Sequence, residues 1–194
     1  MSHKVEAALP ETVFGFWVYI MTDCMIFASL FATFAVQHAA FAGGPDGHKI
    51  IDLHVTAAET FLLLTSSATC GFAMVCLHRG QQGALTFWLL LTLALGAGFV
   101  GLEISEFVKL VGEGATPERS GYLSAFFVLV GTHGLHVTCG IIWALILLGD
   151  MWIRKRGLIP AIERRLVAFS LFWHFLDIIW ICLFSFVYLE GYLS

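Results

Sequence analysis

Five long apolar runs, separated by short polar breaks, divide the chain. They cover about residues 13–36, 55–77, 84–108, 121–149 and 166–189. At about 1.5 Å of rise per residue, each run is long enough to cross roughly 30 Å of hydrocarbon as a helix. The pattern therefore predicts an all-α, polytopic membrane protein with five transmembrane helices. The breaks have the chemistry of turns: GGPDG at Gly43 to Gly47, RGQQG at Arg79 to Gly83, GEGATPERSG at Gly112 to Gly121 and RKRG at Arg154 to Gly157. Thr116 followed by Pro117 suits a helix N-cap and first helical position. No repeat, low-complexity tract or composition shift marks a second domain, so residues 1–194 read as a single helical bundle.

Composition strengthens this picture. Hydrophobic residues make up 59% of the chain and charged residues 12%, which excludes an ordinary soluble domain. The formal net charge of -4 is spread over the breaks, so no patch for nucleic acid forms. Cys24, Cys70, Cys76, Cys139 and Cys182 are odd in number, lie in or beside apolar runs and show no CxxC spacing. They read as small packing residues rather than a disulfide or zinc framework. Ala40-Phe41-Ala42 looks like a signal-peptidase site, but the preceding apolar run is too long for a typical signal core and carries Asp23 near its middle. The first span is expected to be retained.

If the spans alternate, Lys4, Arg79, Arg154, Lys155, Arg156, Arg164 and Arg165 fall on one side, against Lys49, Lys109 and Arg119 on the other. The positive-inside rule then predicts a cytoplasmic amino terminus and a periplasmic carboxyl terminus. Trp17, Tyr19, Trp152, Tyr188 and Tyr192 suit interfacial positions near span ends. Three small-xxx-small pairs, Ser67 with Gly71, Ala97 with Gly101 and Gly134 with Thr138, mark places where helices could approach closely.

Ionisable groups inside such spans are costly, so each is a functional-site hypothesis. Counting from the cytoplasmic edge places Asp23 at roughly 15 Å, His174 at 12 Å and Asp177 at 16 Å, with His133 and His136 inside the fourth run. His133 with His136, and His174 with Asp177, are three residues apart and so share a helix face. An interhelical network joining the first, fourth and fifth helices would satisfy these groups. A proton-linked role stays open, and so does ligation of haem or a metal. Ligation is disfavoured because HxxH and HxxD stand where carboxylate metal sites typically use Glu-xx-His. Near the outer surface lie Glu59, Glu103 and Glu106, readable as a solvated helix end, a buried pair or a contact to lipid headgroups.

Several segments resemble subunit III of the haem-copper oxidases, and within that family the cytochrome bo-type ubiquinol oxidases. They are GFWVYIMTDCMIFASLFATFAV at Gly15 to Val36, ETFLLLTSS at Glu59 to Ser67, GAGFVGLEISEF at Gly96 to Phe107, RSGYLSAFFVLVGTHGLHVTCG at Arg119 to Gly140 and LFWHFLDIIWICLF at Leu171 to Phe184. HGLHV followed by WHFLDIIW is the specific combination. The resemblance implies a non-catalytic subunit of the bacterial inner membrane, packed beside a large catalytic subunit that holds the haems and copper. In that family quinol oxidation, oxygen reduction and proton pumping belong to the large subunit. Subunit III carries no redox cofactor; it stabilises the complex, holds phospholipid and supports proton uptake.

Residue by residue, His133 and His136 match the family's HGLH pair, His174 and Asp177 its WHFxD unit, and Glu106 its outer Ser-Glu motif. Asp23 stands where mitochondrial-type relatives carry a longer glutamate, and two preceding helices of the larger relatives are missing from this chain. Two alternatives remain: subunit III of a cytochrome c oxidase, and an independent haem-carrying or proton-conducting membrane protein.

Overall fold

A computed structural model describes residues 3–37, 53–112, 114, 121–154 and 160–189. Its helices are α1 (His3–Gln37), α2 (Leu53–His78), α3 (Gln82–Gly112), α4 (Gly121–Arg154) and α5 (Pro160–Leu183), the last continuing into a π-helical turn at Phe184–Leu189. There is no strand among the described residues. All five helices are long and apolar enough to cross a membrane, over Phe14–Gln37, Val55–His78, Gln82–Gly112, Gly121–Trp152 and Ala161–Val187. The helices outrun the apolar stretches at several ends, α1 continuing through Pro10 in its flank. His3 to Glu11 continue α1, and Pro160 opens α5 at the position where proline's missing N–H costs nothing.

The α2–α3 connection is a tight hairpin, as Arg79-Gly80-Gln81 suggests. Gly80 takes φ 68°, a conformation that disfavours a side chain. That bend lets the Gly80 N–H donate to Leu77 O and the Gln81 N–H to Cys76 O, both at 3.0 Å, closing the end of α2. Gly43 to Gly47, Lys49, Thr116, Pro117, Arg119, Lys155 and Arg156 lie outside the described residues. So does Tyr192.

Within the bundle α5 is central, packing on α1, α2 and α4, while α1 touches chiefly α4 and α5. Burial follows: 56% of the most apolar stretch of the α5 span is enclosed, against 22% of that of the α1 span. Every helix turns large apolar side chains outward, among them Met25, Phe61, Phe87, Leu135 and Ile178. The interior is built from rings and aliphatics such as Phe27, Leu89, Phe99, Leu129, Trp173 and Trp180. In lipid, apolar burial itself gives little drive to associate, so fit and interhelical hydrogen bonds decide the packing.

Fit is sharpest around Trp173. Its indole lies between Gly96 of α3 and Gly140 of α4, so close that a Cβ on either glycine would sit 2.8–2.9 Å from the ring. The indole Nε1–H donates to Ser66 Oγ of α2 at 3.1 Å, so one side chain ties together four helices. Of the small residues singled out by spacing, Gly71 and Gly101 instead face open space. Neither meets another helix of this chain among the described residues.

Candidate functional site

Asp23 projects from α1 into the bundle and is 4% exposed. Its nearest counterpart is His136 of α4, with Nε2 3.4 Å from Oδ2. That contact is within ion-pair range but lacks hydrogen-bond geometry, leaving Oδ2 without a hydrogen-bond partner among the described residues. The other nitrogen of His136, Nδ1, lies 2.7 Å from Thr132 O, one turn back on α4. A carbonyl only accepts, so Nδ1 must carry the hydrogen and donate it. Bringing Nε2 against a carboxyl oxygen then calls for one further proton between the two, on the ring or on the acid. Tyr19, one turn before Asp23, faces the same carboxyl.

His133 is fully buried, and neither ring nitrogen has a hydrogen-bond partner among the described residues. Rings enclose it: Trp180 at 5.2 Å between centroids, Phe99 at 5.8 Å and Phe27 at 6.4 Å. Phe27 also lies against His136, at 5.3 Å, so the two histidines do share a face. His133 fills space there as an aromatic wedge.

His174 and Asp177 look elsewhere. His174 Nδ1 and Ser67 Oγ of α2 share a hydrogen bond of 2.7 Å, with the Asp177 carboxyl beside both. The expected single network through the first, fourth and fifth helices is therefore corrected to two separate groups. One joins α1 to α4 through Asp23 and His136. The other joins α2 to α5 through Ser67, His174 and Asp177. Spacing of three fixes that two residues share a face, but not which neighbour that face meets.

Glu59 of α2 is fully buried and Glu103 of α3 is 4% exposed, which rules out a solvated helix end for these two. Both oxygens of Glu59 and Oε1 of Glu103 lack hydrogen-bond partners among the described residues. Glu59 feels the charges of both Glu103 and Glu106, so the three carboxyls gather between α2 and α3. The Glu103 carboxylate rests on Gly134 of α4, where an added Cβ would collide with it. Gly134 thus stands at a helix contact, as its spacing suggested, and what it admits there is the Glu103 carboxylate of α3.

Sequence reasoning missed the seam between α2 and α5. Trp180 Nε1–H donates to Thr60 Oγ1 at 3.0 Å, one tryptophan pairing two helical turns along from that of Trp173 with Ser66. Thr69 and Thr92 share a hydrogen bond of 2.8 Å between α2 and α3. Seven-residue spacing of the two tryptophans, opposite hydroxyls at Thr60 and Ser66, was the available signal. Among the described residues no three or more His, Cys, Asp or Glu side chains are arranged to hold a metal ion.

Comparison with known proteins follows the same lines. The family model described as cytochrome c oxidase subunit III matches residues 3–192. A Pseudomonas putida protein, cytochrome bo(3) ubiquinol oxidase subunit 3, is 54% identical over 182 residues, covering 94% of this chain and 87% of the relative. Its Pseudomonas aeruginosa counterpart of the same name is 53% identical, over 93% of this chain and 86% of that protein. Quinol oxidase subunit 3 of Bacillus subtilis is 45% identical over 92% of this chain and 87% of its own length. With its five apolar helices and a match across nearly its whole length, the chain belongs to the subunit III family of the haem-copper oxidases.

Proposed function

We propose that the chain serves as subunit III of a bo-type ubiquinol oxidase, a structural partner to the catalytic machinery and not a catalyst itself. The observation that carries this is its identity of 54% with a cytochrome bo(3) ubiquinol oxidase subunit 3, over 94% of its length. The internal chemistry is in keeping. Among the described residues its ionisable groups fall into pairs and clusters that join helices. In this reading the haems and copper reside in subunit I, which oxidises quinol, reduces oxygen and moves protons, while the present chain steadies that subunit and the lipid around it.

Orientation follows from the charge count, with the amino terminus in the cytoplasm of a bacterial inner membrane and the carboxyl terminus in the periplasm. Asp23 with His136 then lies in the half of the bilayer facing the cytoplasm, beside the route by which a neighbour takes up protons. Asp177 and His174 form a second polar group at similar depth. Glu59, Glu103 and Glu106 lie toward the outer side.

An affinity tag on this chain tests the assignment. It should retain a large haem- and copper-containing partner together with quinol oxidase activity. The chain expressed alone should be colourless, and a haem band in its visible spectrum would overturn the reading.

A further inference from the structure

We infer that the face of α2 and α5 bearing Ser67, His174 and Asp177 is where a transmembrane helix of another oxidase subunit docks, bringing a polar side chain to the outer edge of the His174 ring. The inference rests on the reading of the chain as an oxidase subunit and adds a surface and a chemistry to it.

Depth is the first argument. His174 stands midway along the span Ala161–Val187, about 20 Å from either end at 1.5 Å per residue. Neither water nor a lipid headgroup reaches that level of the bilayer, and an acyl chain offers no hydrogen bond. Yet Ser67 and His174 are only half-buried within this chain. Asp177, 8% exposed, lies beside them, its buried Oδ1 without a hydrogen-bond partner among the described residues. Ser67 occupies His174 Nδ1, so the second ring nitrogen is the one left for an outside group; it is not among the fully buried polar atoms. Polar surface of this kind turned toward hydrocarbon would be costly.

Contrast with the other outward polar groups is the second argument. The hydroxyls of Thr22, Ser29, Thr33, Thr65, Ser105 and Ser185 also face outward, and each donates to a carbonyl three or four residues back on its own helix. They can therefore sit in lipid. An imidazole does the same only through Nδ1, as His136 does with Thr132 O; in His174 Ser67 holds that nitrogen, and Nε2 is the one left over.

Shape is the third. Gly71 follows Ser67 by one turn and has open space where a Cβ would be, leaving a notch beside the polar group. On the other side of the polar group, about one turn from Ser67 and His174, stand exposed Leu64 and Ile178. A notch at a small residue next to a hydrogen-bonding side chain is how helices approach and lock in a bilayer. A helix carrying a hydroxyl, amide or carboxyl group fits; a lipid tail fits only the apolar side chains.

The test uses the assembled oxidase in native membranes, with a photoreactive benzophenone side chain placed at Ile178 of the tagged chain. Light should yield an adduct between this chain and another oxidase subunit. His174→Leu should lower its yield about tenfold, equivalent to about 1.4 kcal/mol, and His174→Gln, which keeps a donor, should restore most of it. Adducts with lipid alone, or with a second copy of the chain, while the haem-containing partner still co-purifies, would overturn the docking face and leave the subunit assignment standing. Failure of any haem-containing partner to co-purify would overturn both.

Discussion

Adding a single methyl group at Gly140 should destabilise this bundle far more than adding one at Gly101. At Gly140 the new Cβ would lie 2.9 Å from Trp173 Cζ3, 3.2 Å from Cε3 and 3.3 Å from Phe172 Cε1. Carbon atoms are comfortable at about 3.5–4.0 Å, so the ring must retreat by roughly half an ångström. It has nowhere to go. Trp173 is 2% exposed, Gly96 closes its other side, and Ser66 holds its nitrogen. Overpacking of this kind costs about 1–3 kcal/mol, while alanine's better helix propensity returns up to about 1 kcal/mol, leaving a net loss of about 1–2 kcal/mol.

At Gly101 nothing lies within 4 Å of the added atom, and Gly101→Ala should be neutral or slightly stabilising. Unfolding of the purified protein by SDS in mixed micelles gives the comparison. A second arm isolates the cause: in a Trp173→Phe background the ring no longer reaches as far, and most of the Gly140→Ala penalty should vanish, a coupling of about 1 kcal/mol. Equal losses at Gly101 and Gly140, or a penalty undiminished by the shorter ring of the Trp173→Phe background, would refute the wedge.

Three further outcomes are expected. Gly134→Ala drives a methyl into the Glu103 carboxylate and should cost about 1–3 kcal/mol, a loss that Glu103→Ala relieves in the same SDS titration. A double-mutant cycle of Asp23→Asn with His136→Ala should show coupling of about 0.6–1.7 kcal/mol, whereas Asp23→Asn with His174→Ala should be additive, because His174 belongs to the other polar group. His133→Leu should cost less than about 1.5 kcal/mol and leave the haem content of the partner unchanged, since the ring makes no hydrogen bond among the described residues and only fills its aromatic enclosure; a loss as large as that of a His133→Ala cavity would show that its nitrogens matter.

Hydropathy alone revealed the five helices, because a membrane admits few other ways to arrange apolar runs of that length. The α2–α3 hairpin was equally legible, since RGQQG contains the glycine that a helix end in this geometry needs. What spacing could not supply was rotation. His174 and Asp177 share a face, as three-residue spacing requires, but the face turns toward Ser67 because the tryptophans on α5 meet hydroxyls on α2. Gly96 and Gly140 escaped notice for a related reason. Their role belongs to a side chain on a third helix, and a rule written for pairs of small residues on one helix does not see it.

The pairing of α1 with the two last helices sets an order of events during synthesis. Thr69 finds Thr92 only 23 residues on, so at 5–20 residues per second the α2–α3 hairpin can close within about 1–5 s of reaching the membrane. Asp23 must wait for His136, roughly a hundred residues later, which is on the order of 5–20 s. Throughout that interval the carboxyl group of the first helix has Tyr19 of its own helix beside it but not yet His136. An insertion machinery that retains helices with polar centres would keep α1 until α4 arrives, and a chain interrupted before α4 would display Asp23 as a mark of its own incompleteness.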